Sequence, residues 1–319
     1  MAFASPEATL DDIRGAARRI EGSVLRTPLV RLGVDDAEIW LKLENLQPIG
    51  SFKLRGASNA MLSAPRAALA QGVWTASAGN MAQGVAWQAR GMGIPCTVVA
   101  PDRAPDVKLA AIERLGARVM RLPFEEWFQI LATRTHPGVA GLFIHPVSDA
   151  AVVAGNGTIG VEILEQLPDA AAIVVPWGGG GLSCGIATAV RALAPAVPVY
   201  ACEVDVAAPL AASFAAGSPT RVPYQASFVD GMGAPFILEE MWPLARRLLA
   251  GSLVTSLEDV AAAIRLLVER NRVVAEGAGA APVAAALVGR AGKGKVVCVV
   301  SGGNLDPRTL AAILEGRTP

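Results

Sequence analysis

The sequence predicts an α/β protein of two lobes, each an open, twisted, mostly parallel sheet carrying helices. Three observations predict it. Short runs of Val, Ile and Ala that suit buried strands alternate with helix-period segments along almost the whole chain, as crossover connections in a parallel sheet require. At 319 residues the chain exceeds one typical core. Several strand runs end in glycine turns that open helices, and open α/β sheets bind ligands at those carboxyl ends.

The elements follow in order. Residues 8–22 carry helix spacing, with Leu10, Ile13, Ala17 and Ile20 on one face. Thr27-Pro28-Leu29 turns the chain into a short strand, and 39–43 is a buried strand. A Pro/Gly turn then leads to a helix through Leu62. Strands at 72–77, 94–100, 117–122 and 141–145 alternate with helices at 81–90, 105–115 and 124–135. Residues 157–166 read as a helix and 171–175 as a buried strand, followed by a glycine run and a helix to Leu193. After a strand at 198–203, residues 204–252 are irregular. Residues 257–271 form an amphipathic helix, with Ser256 as its cap and Asp259 three residues on. An Ala-rich helix at 278–288, a strand at 295–300 and a helix at 307–315 close the chain. The expected division is a larger domain of 1–72 and 147–319 with a smaller α/β domain, 73–146, inserted.

Composition narrows the function. Lys plus Arg and Asp plus Glu balance at 28 each, and no basic block stands out, which argues against a nucleic-acid binder. Residues 170–190 are uncharged, but Pro176 and four consecutive glycines break any spanning helix, so a buried strand, loop and helix is the better reading. The start, Met1-Ala2-Phe3-Ala4-Ser5-Pro6-Glu7, lacks the pattern of a signal peptide. Cys96, Cys184, Cys202 and Cys298 lie far apart in apolar runs and read as reduced core thiols of a cytoplasmic protein. With only His136 and His145, a His-rich metal site is excluded and a Ser-His-Asp triad is disfavoured.

Five motifs are candidates for chemistry. Lys53 stands two residues after Ser51, a candidate N-cap, at a helix start whose positive dipole end disfavours its ammonium form. That makes it a candidate Schiff-base amine, although spacing alone fits a solvated lysine as well. Pro176-Trp177-Gly178-Gly179-Gly180-Gly181-Leu182-Ser183 follows a strand and opens a helix, so its N–H groups can converge on a phosphate. Four glycines also cost entropy that a plain turn does not demand. Ser77-Ala78-Gly79-Asn80-Met81 is a second strand–turn–helix, suited to a carboxylate or equally to an ordinary cap. Ser301, in Ser301-Gly302-Gly303-Asn304, ends the last strand. At Glu276-Gly277-Ala278-Gly279-Ala280, close helix packing and a cofactor contact stand on equal terms. Together the amine, the phosphate cradle, the carboxylate loop and the strand-end serine suggest pyridoxal 5'-phosphate.

With those motifs the sequence resembles the fold-type II pyridoxal-phosphate enzymes, in the branch of serine/threonine dehydratases (ammonia-lyases) and serine racemases. The match also takes in Lys42-x-Glu44, Gln47 to Ala57 and Ala154-Gly155-Asn156-Gly157-Thr158, and covers nearly the whole chain. The resemblance implies a tryptophan-synthase-β-like fold with the cofactor between two lobes, and a homodimer. It implies that Lys53 carries the cofactor and then takes the Cα proton, and that Phe52 packs near the ring. Asn80 would contact the ring hydroxyl, Gly178, Gly179, Gly180, Gly181 and Leu182 the phosphate, and Ser301 the pyridine nitrogen, with Glu276 among the cofactor contacts. Ser77, Ala78, Gly79, Asn80 and Met81 would hold the substrate carboxylate.

Three departures shape the expectation. Ala78 stands where the racemase branch places a second-face serine, so racemisation should be weak. Met81 replaces the usual His, and with Trp74 and Trp177 it suggests a more apolar neighbourhood, which opens a bulkier substrate such as a phenylserine. Pro209 stands where relatives place a second carboxylate, which argues against a divalent site at Glu203 and Ala207. The chain ends at Pro319 without the regulatory domain of biosynthetic threonine dehydratases, so feedback through one is not expected. The expected activity is β-elimination from a serine- or threonine-type amino acid to a 2-oxo acid and ammonia. Racemisation, β-replacement and cofactor-free binding of a phosphate ligand are the rivals.

Overall fold

The computed structural model describes residues 6–319. Most of the amino-terminal segment read for a signal peptide therefore lies outside the described residues. The strands, in chain order, are β1 (Leu29–Arg31), β2 (Ile39–Leu43), β3 (Val73–Ala76), β4 (Cys96–Pro101), β5 (Arg118–Leu122), β6 (Leu142–Phe143), β7 (Ala172–Pro176), β8 (Val199–Val204), β9 (Gly251–Thr255) and β10 (Val296–Val300). They form two sheets, ordered β1-β2-β10-β7-β8-β9 and β5-β4-β3-β6. Every pairing is parallel except that of β1 with β2. The fold class read from the sequence is the fold observed.

The chain divides into two compact units. One takes in the chain up to Leu25 together with Lys53–Asn156; the other is Arg26–Phe52 with Gly157–Pro319. The segment 73–146 lies inside the first unit, which also holds 53–72 and 147–156.

In the second unit the inner strands β7 and β10 are buried at every residue, so both of their faces are covered. This is why they read as unbroken apolar runs rather than alternating ones. Alternate residues of the central strands (Leu41, Val174, Cys202, Cys298) pack on helices Leu257–Leu266 and Gly277–Leu287. A buried ammonium ties β2 to this unit: Lys42 Nζ donates to Glu162 at 2.6 Å, to Thr27 O at 2.8 Å and to Gln166 Oε1 at 2.9 Å. All three donors of a fully buried Lys42 are thereby used, as burial of a charge requires.

In the first unit, helix Lys53–Ser63 is held by close helix packing on two sides. A Cβ on Gly84, in helix Asn80–Met92, would lie 3.2 Å from the Lys53 carbonyl oxygen. A Cβ on Gly155 would lie 2.5 Å from the Arg55 carbonyl oxygen. Gly155 belongs to helix Ala150–Gln166, which starts seven residues before the helix expected from 157. Asp149 Oδ1 accepts the Ala151 N–H at 2.8 Å and supplies that earlier start. The Ala154 to Thr158 motif is thus helical, and its first glycine, Gly155, is a packing residue. The irregular stretch 204–252 also holds helices Pro209–Ala216 and Trp242–Leu248 and the start of β9. The helix expected over 257–271 relaxes into a π-turn at Leu267–Asn271.

These packing distances predict opposite outcomes for two helix glycines. Gly155→Ala forces a methyl against backbone and is expected to cost about 1–3 kcal/mol of unfolding free energy in urea. Gly91→Ala, with open space around its Cβ, is expected to stabilise by about 0.5–1 kcal/mol.

Candidate active site

In the second unit, β2, β10 and β7 run parallel, so their carboxyl ends share one edge of the sheet. The turn after β2 is laced to the turn after β10. Phe52 N–H donates to Ser301 O at 2.9 Å, Gly303 N–H to Gly50 O at 2.9 Å, and Asn304 Nδ2 to Ile49 O at 2.9 Å. Gly50 has φ +74°, and a Cβ there would stand 2.6 Å from Asn304 Oδ1, so glycine is required. Ser51 pairs with Gly302 in an antiparallel bridge, and its hydroxyl is buried without a hydrogen-bond partner. Ser51 therefore does not cap the Lys53 helix as its spacing suggested; the bridge sets its orientation instead.

The glycine run leaves β7 at the same edge and opens helix Gly181–Leu193. Gly180 has φ +98°, and a Cβ there would lie 2.4 Å from Cη2 of the buried Trp177 indole. Trp177 is thus the floor of the loop, and its Nε1 has no hydrogen-bond partner. The first N–H groups of the helix have no preceding carbonyls to reach, so the loop is a set of convergent donors. Ser183 Oγ is spent on Pro176 O at 3.0 Å. Beside Ser301, a Cβ on Gly302 would meet Glu276 Oε1 at 2.6 Å, and Glu276 N–H donates to Gly302 O at 3.0 Å. The alternatives left open for the Glu276 helix start meet here: its glycine Gly279 packs against Gly302 O, and its carboxylate also lies at the strand end.

The first unit carries the lysine. Lys53 begins helix Lys53–Ser63, and its Nζ donates to Pro146 O at 2.7 Å. The 77–81 turn opens the neighbouring helix at Asn80, one turn before the Gly84 contact with Lys53. Ser77 Oγ accepts the Gly79 N–H at 3.2 Å, and Gly79 supplies no side-chain cap to the helix start. The Met81 side chain is 1% exposed and packs in the core with Ala57, Met61 and Val85. Any contact from Met81 to a ligand is through its main chain. Trp74 is likewise a core residue, its ring tilted against Phe143 at 4.4 Å between centroids and its Nε1–H donated to Gly141 O. Those two side chains therefore do not make a substrate neighbourhood apolar, and the sequence-based argument for a bulky substrate loses them.

Sequence reasoning missed Pro146. Its carbonyl accepts from the Lys53 amine, and the signal in the sequence was a His-Pro pair at the end of a strand run. His145 Nδ1 accepts the N–H groups of Ser148 at 2.8 Å and Val147 at 3.1 Å, and Nε2 faces Leu131 O at 3.1 Å. Burial first, then the Arg134 charge, lower the His145 pKa to about 3, so the ring is neutral.

Glu203 does not fit a cation. Its Oε1 accepts the Leu210 N–H at 2.8 Å, and Oε2 accepts the Ala211 N–H at 2.8 Å and the Ser252 hydroxyl at 2.7 Å. Burial raises its pKa against these donors. Ala207 only closes a bridge with Val204, and among the described residues no group of three His, Cys, Asp or Glu side chains converges on a metal position. All four cysteines are buried free thiols, and burial raises each pKa. No helix of the described residues is long and apolar enough to cross a membrane.

A family model described as pyridoxal-phosphate dependent enzyme matches residues 20–302. The chain belongs to this family. It is 42% identical to an L-threonine ammonia-lyase of Geobacter sulfurreducens, over 95% of this chain and 77% of that one. Among solved structures it resembles maize serine racemase, with a TM-score of 0.89, 32% identity and 97% of both chains covered. It also resembles a threonine deaminase of T.th., with a TM-score of 0.82, 35% identity, and 93% of this chain and 99% of that one covered. The cofactor of this pyridoxal-phosphate enzyme suits the residues present. The Gly180 backbone admits no Cβ, the cradle offers N–H donors to a phosphate, and an unpartnered indole N–H lies beside it.

Two outcomes test the site. Gly180→Ala puts an L-residue at a left-handed φ against Trp177 at a cost of about 1–2 kcal/mol, and is expected to weaken pyridoxal-phosphate binding about tenfold by titration of the apoprotein. For His145 the folded pKa lies below the unfolded one, so its stability contribution is complete above about pH 6.5 and is lost as pH falls toward 3. Wild-type unfolding free energy should therefore drop between pH 6.5 and 5 by up to about 1.4 kcal/mol per pH unit more than that of His145→Asn.

Proposed function

We propose that the protein is a dehydratase, or ammonia-lyase, that eliminates the β-hydroxyl of a threonine- or serine-type amino acid. One observation carries the reaction type. Lys53 provides an amine at the start of a helix packed against helix Asn80–Met92, and in the turn that opens that helix Ala78 stands where the racemase branch carries a second-face serine. A single base favours elimination, because racemisation needs a proton donor on the opposite face. The names of the relatives support the same reading.

In this reading Lys53 would hold the cofactor and act as the base. The main chain of Gly178, Gly179, Gly180, Gly181 and Leu182 would hold its phosphate, and Ser301 its pyridine nitrogen. Phe52, Asn80 and Glu276 would complete its surroundings. When bound, pyridoxal phosphate withdraws electrons from the substrate and so acidifies its Cα–H bond. The N–H donors of the 77–81 turn fix the substrate carboxylate, which leaves Cα–H to the Lys53 amine. Lys53 would take that proton, the C–H electron pair would expel the β-oxygen as the Cβ–O bond breaks, and the Lys53 ammonium would return the proton to it, so that water leaves. The enamine released regains water to give a 2-oxo acid and ammonia. Ser301, a neutral hydroxyl, would leave the pyridine nitrogen largely unprotonated, which would suit loss of a β-leaving group. The buried thiols suit a reducing compartment, and a homodimer in the cytoplasm belongs to the same reading.

The test is a panel of L- and D-β-hydroxy amino acids, from serine and threonine to phenylserine, with 2-oxo acid, ammonia and the chirality of unreacted substrate measured. L-threonine or L-serine should give equal 2-oxo acid and ammonia with little racemisation. Lys53→Ala should lower the rate by about 10²- to 10⁴-fold. Activity at the wild-type rate in Lys53→Ala would remove the assignment.

A further inference from the structure

The ε-amine of Lys53 donates to a main-chain carbonyl, Pro146 O, at 2.7 Å. A carbonyl in a loop takes its direction from whatever fixes the loop, and here the bonds are specific. Residues 145–148 turn sharply between the end of β6 and helix Ala150–Gln166. His145 lies at the head of the turn, 1% exposed. Its Nδ1 accepts from Val147 and Ser148 N–H, two and three residues on, which closes the turn around Pro146. Its Nε2–H is directed to Leu131 O, in helix Phe124–Thr133, which fixes the ring and its tautomer. Before the turn, Thr75 Oγ1 donates to Ile144 O at 2.8 Å; after it, Arg134 Nη2 donates to Ser148 O at 2.9 Å. The proline adds a fixed φ at the residue that offers the carbonyl.

An imidazole that is buried, neutral and bonded at both nitrogens does not act as an acid or base. Its two acceptor contacts define instead where Pro146 O points. An amine that donates one N–H to a fixed carbonyl has its lone pair turned away from that carbonyl. When the amine takes a proton, the ammonium formed gains from the same dipole, with no reorganisation at that moment.

We propose that His145 is a positioning residue for Lys53. By closing the 145–148 turn it aims the Pro146 carbonyl at the ε-amine, which orients the amine's lone pair and stabilises the ammonium formed on proton transfer. This rests on Lys53 as the reactive amine of the proposed function. The proton leaves substrate Cα for Lys53 Nζ, and the C–H electron pair stays with the substrate.

Two near-isosteric variants separate positioning from mere structure. Asn at 145 keeps an acceptor where Nδ1 stands and loses the bond to Leu131 O. Gln keeps a donor where Nε2 stands and loses the acceptor. Each removes one side of the imidazole's bonding. The full-length variants are compared by kcat and KM, by the isotope effect with Cα-deuterated threonine, and by the rate at which apoprotein takes up pyridoxal phosphate at Lys53. Uptake is read by mass spectrometry of the borohydride-reduced peptide.

His145→Asn should keep kcat and the uptake rate within about threefold of wild type. His145→Gln should lose about 10- to 100-fold in both, with KM little changed and a larger isotope effect. Equal losses in the two variants, or wild-type values in His145→Gln, would overturn the proposal. Should His145→Gln not fold, Pro146→Gly decides: it leaves the carbonyl but frees its direction, and wild-type kcat and uptake there would also overturn it. If wild type forms no 2-oxo acid while uptake still separates Asn from Gln, the reaction assignment fails and the positioning role stands.

Discussion

The hydrogen bond from Phe52 N–H to Ser301 O is the constraint on which the second unit's part of the candidate site depends. It joins the last residue before Lys53 to the strand-end serine, and its neighbours reinforce it: Gly303 to Gly50, Asn304 to Ile49, and the Ser51–Gly302 bridge. Two segments some 250 residues apart in sequence are thereby locked in register. At the next residue the chain enters a helix whose backbone touches Gly84 on one side and Gly155 on the other. A residue at the start of a helix packed in this way has little freedom in its backbone, and the remaining freedom of Lys53 is in its side chain. The carbonyl of Pro146 acts on that remainder.

The fold was legible because its strands are buried on both faces and its helices keep their apolar period. Val296–Val300 and Ala172–Pro176 are read without ambiguity, and the glycine run between β7 and its helix announces a backbone conformation that only glycine adopts freely. The early start of helix Ala150–Gln166 was not legible, because Gly155 and Gly157 resemble breakers in sequence. Only the approach of the Arg55 carbonyl shows that Gly155 is needed for contact between helices. Unit boundaries follow the same logic, since residues 147–156 pack on helix Lys53–Ser63 and are counted with it.

Side-chain direction was the other gap. Ser51 is spaced as a cap, and Met81 and Trp74 flank the 77–81 turn, yet each points elsewhere. Met81 is the second residue of its helix, and the face it occupies is set by Ala82, Val85 and Ala89, all of which pack in the same core. Trp74 lies on a strand whose four residues are all buried, so its ring fills space under helix Phe124–Thr133 rather than meeting a ligand. Pro146 was invisible for a different reason. Its contribution is a carbonyl oxygen that every residue has, and no residue type announces it.

Glu203 and the glycine loop use one physical device in two ways. A helix start presents N–H groups that attract negative charge. At helix Pro209–Ala216 the protein supplies the anion itself: the Glu203 carboxylate meets the N–H groups of Leu210 and Ala211, and Pro209 occupies the first helical position, where no N–H is missed. The donors are consumed internally, and no cation is needed to neutralise a carboxylate already bonded on both oxygens. At helix Gly181–Leu193 the glycines bring no side chain and Ser183 is turned back to Pro176, an arrangement that suits the phosphate of the proposed function. The two starts differ in sequence by whether a carboxylate stands near the end of the preceding strand, so that difference divides a structural joint from the proposed cofactor site.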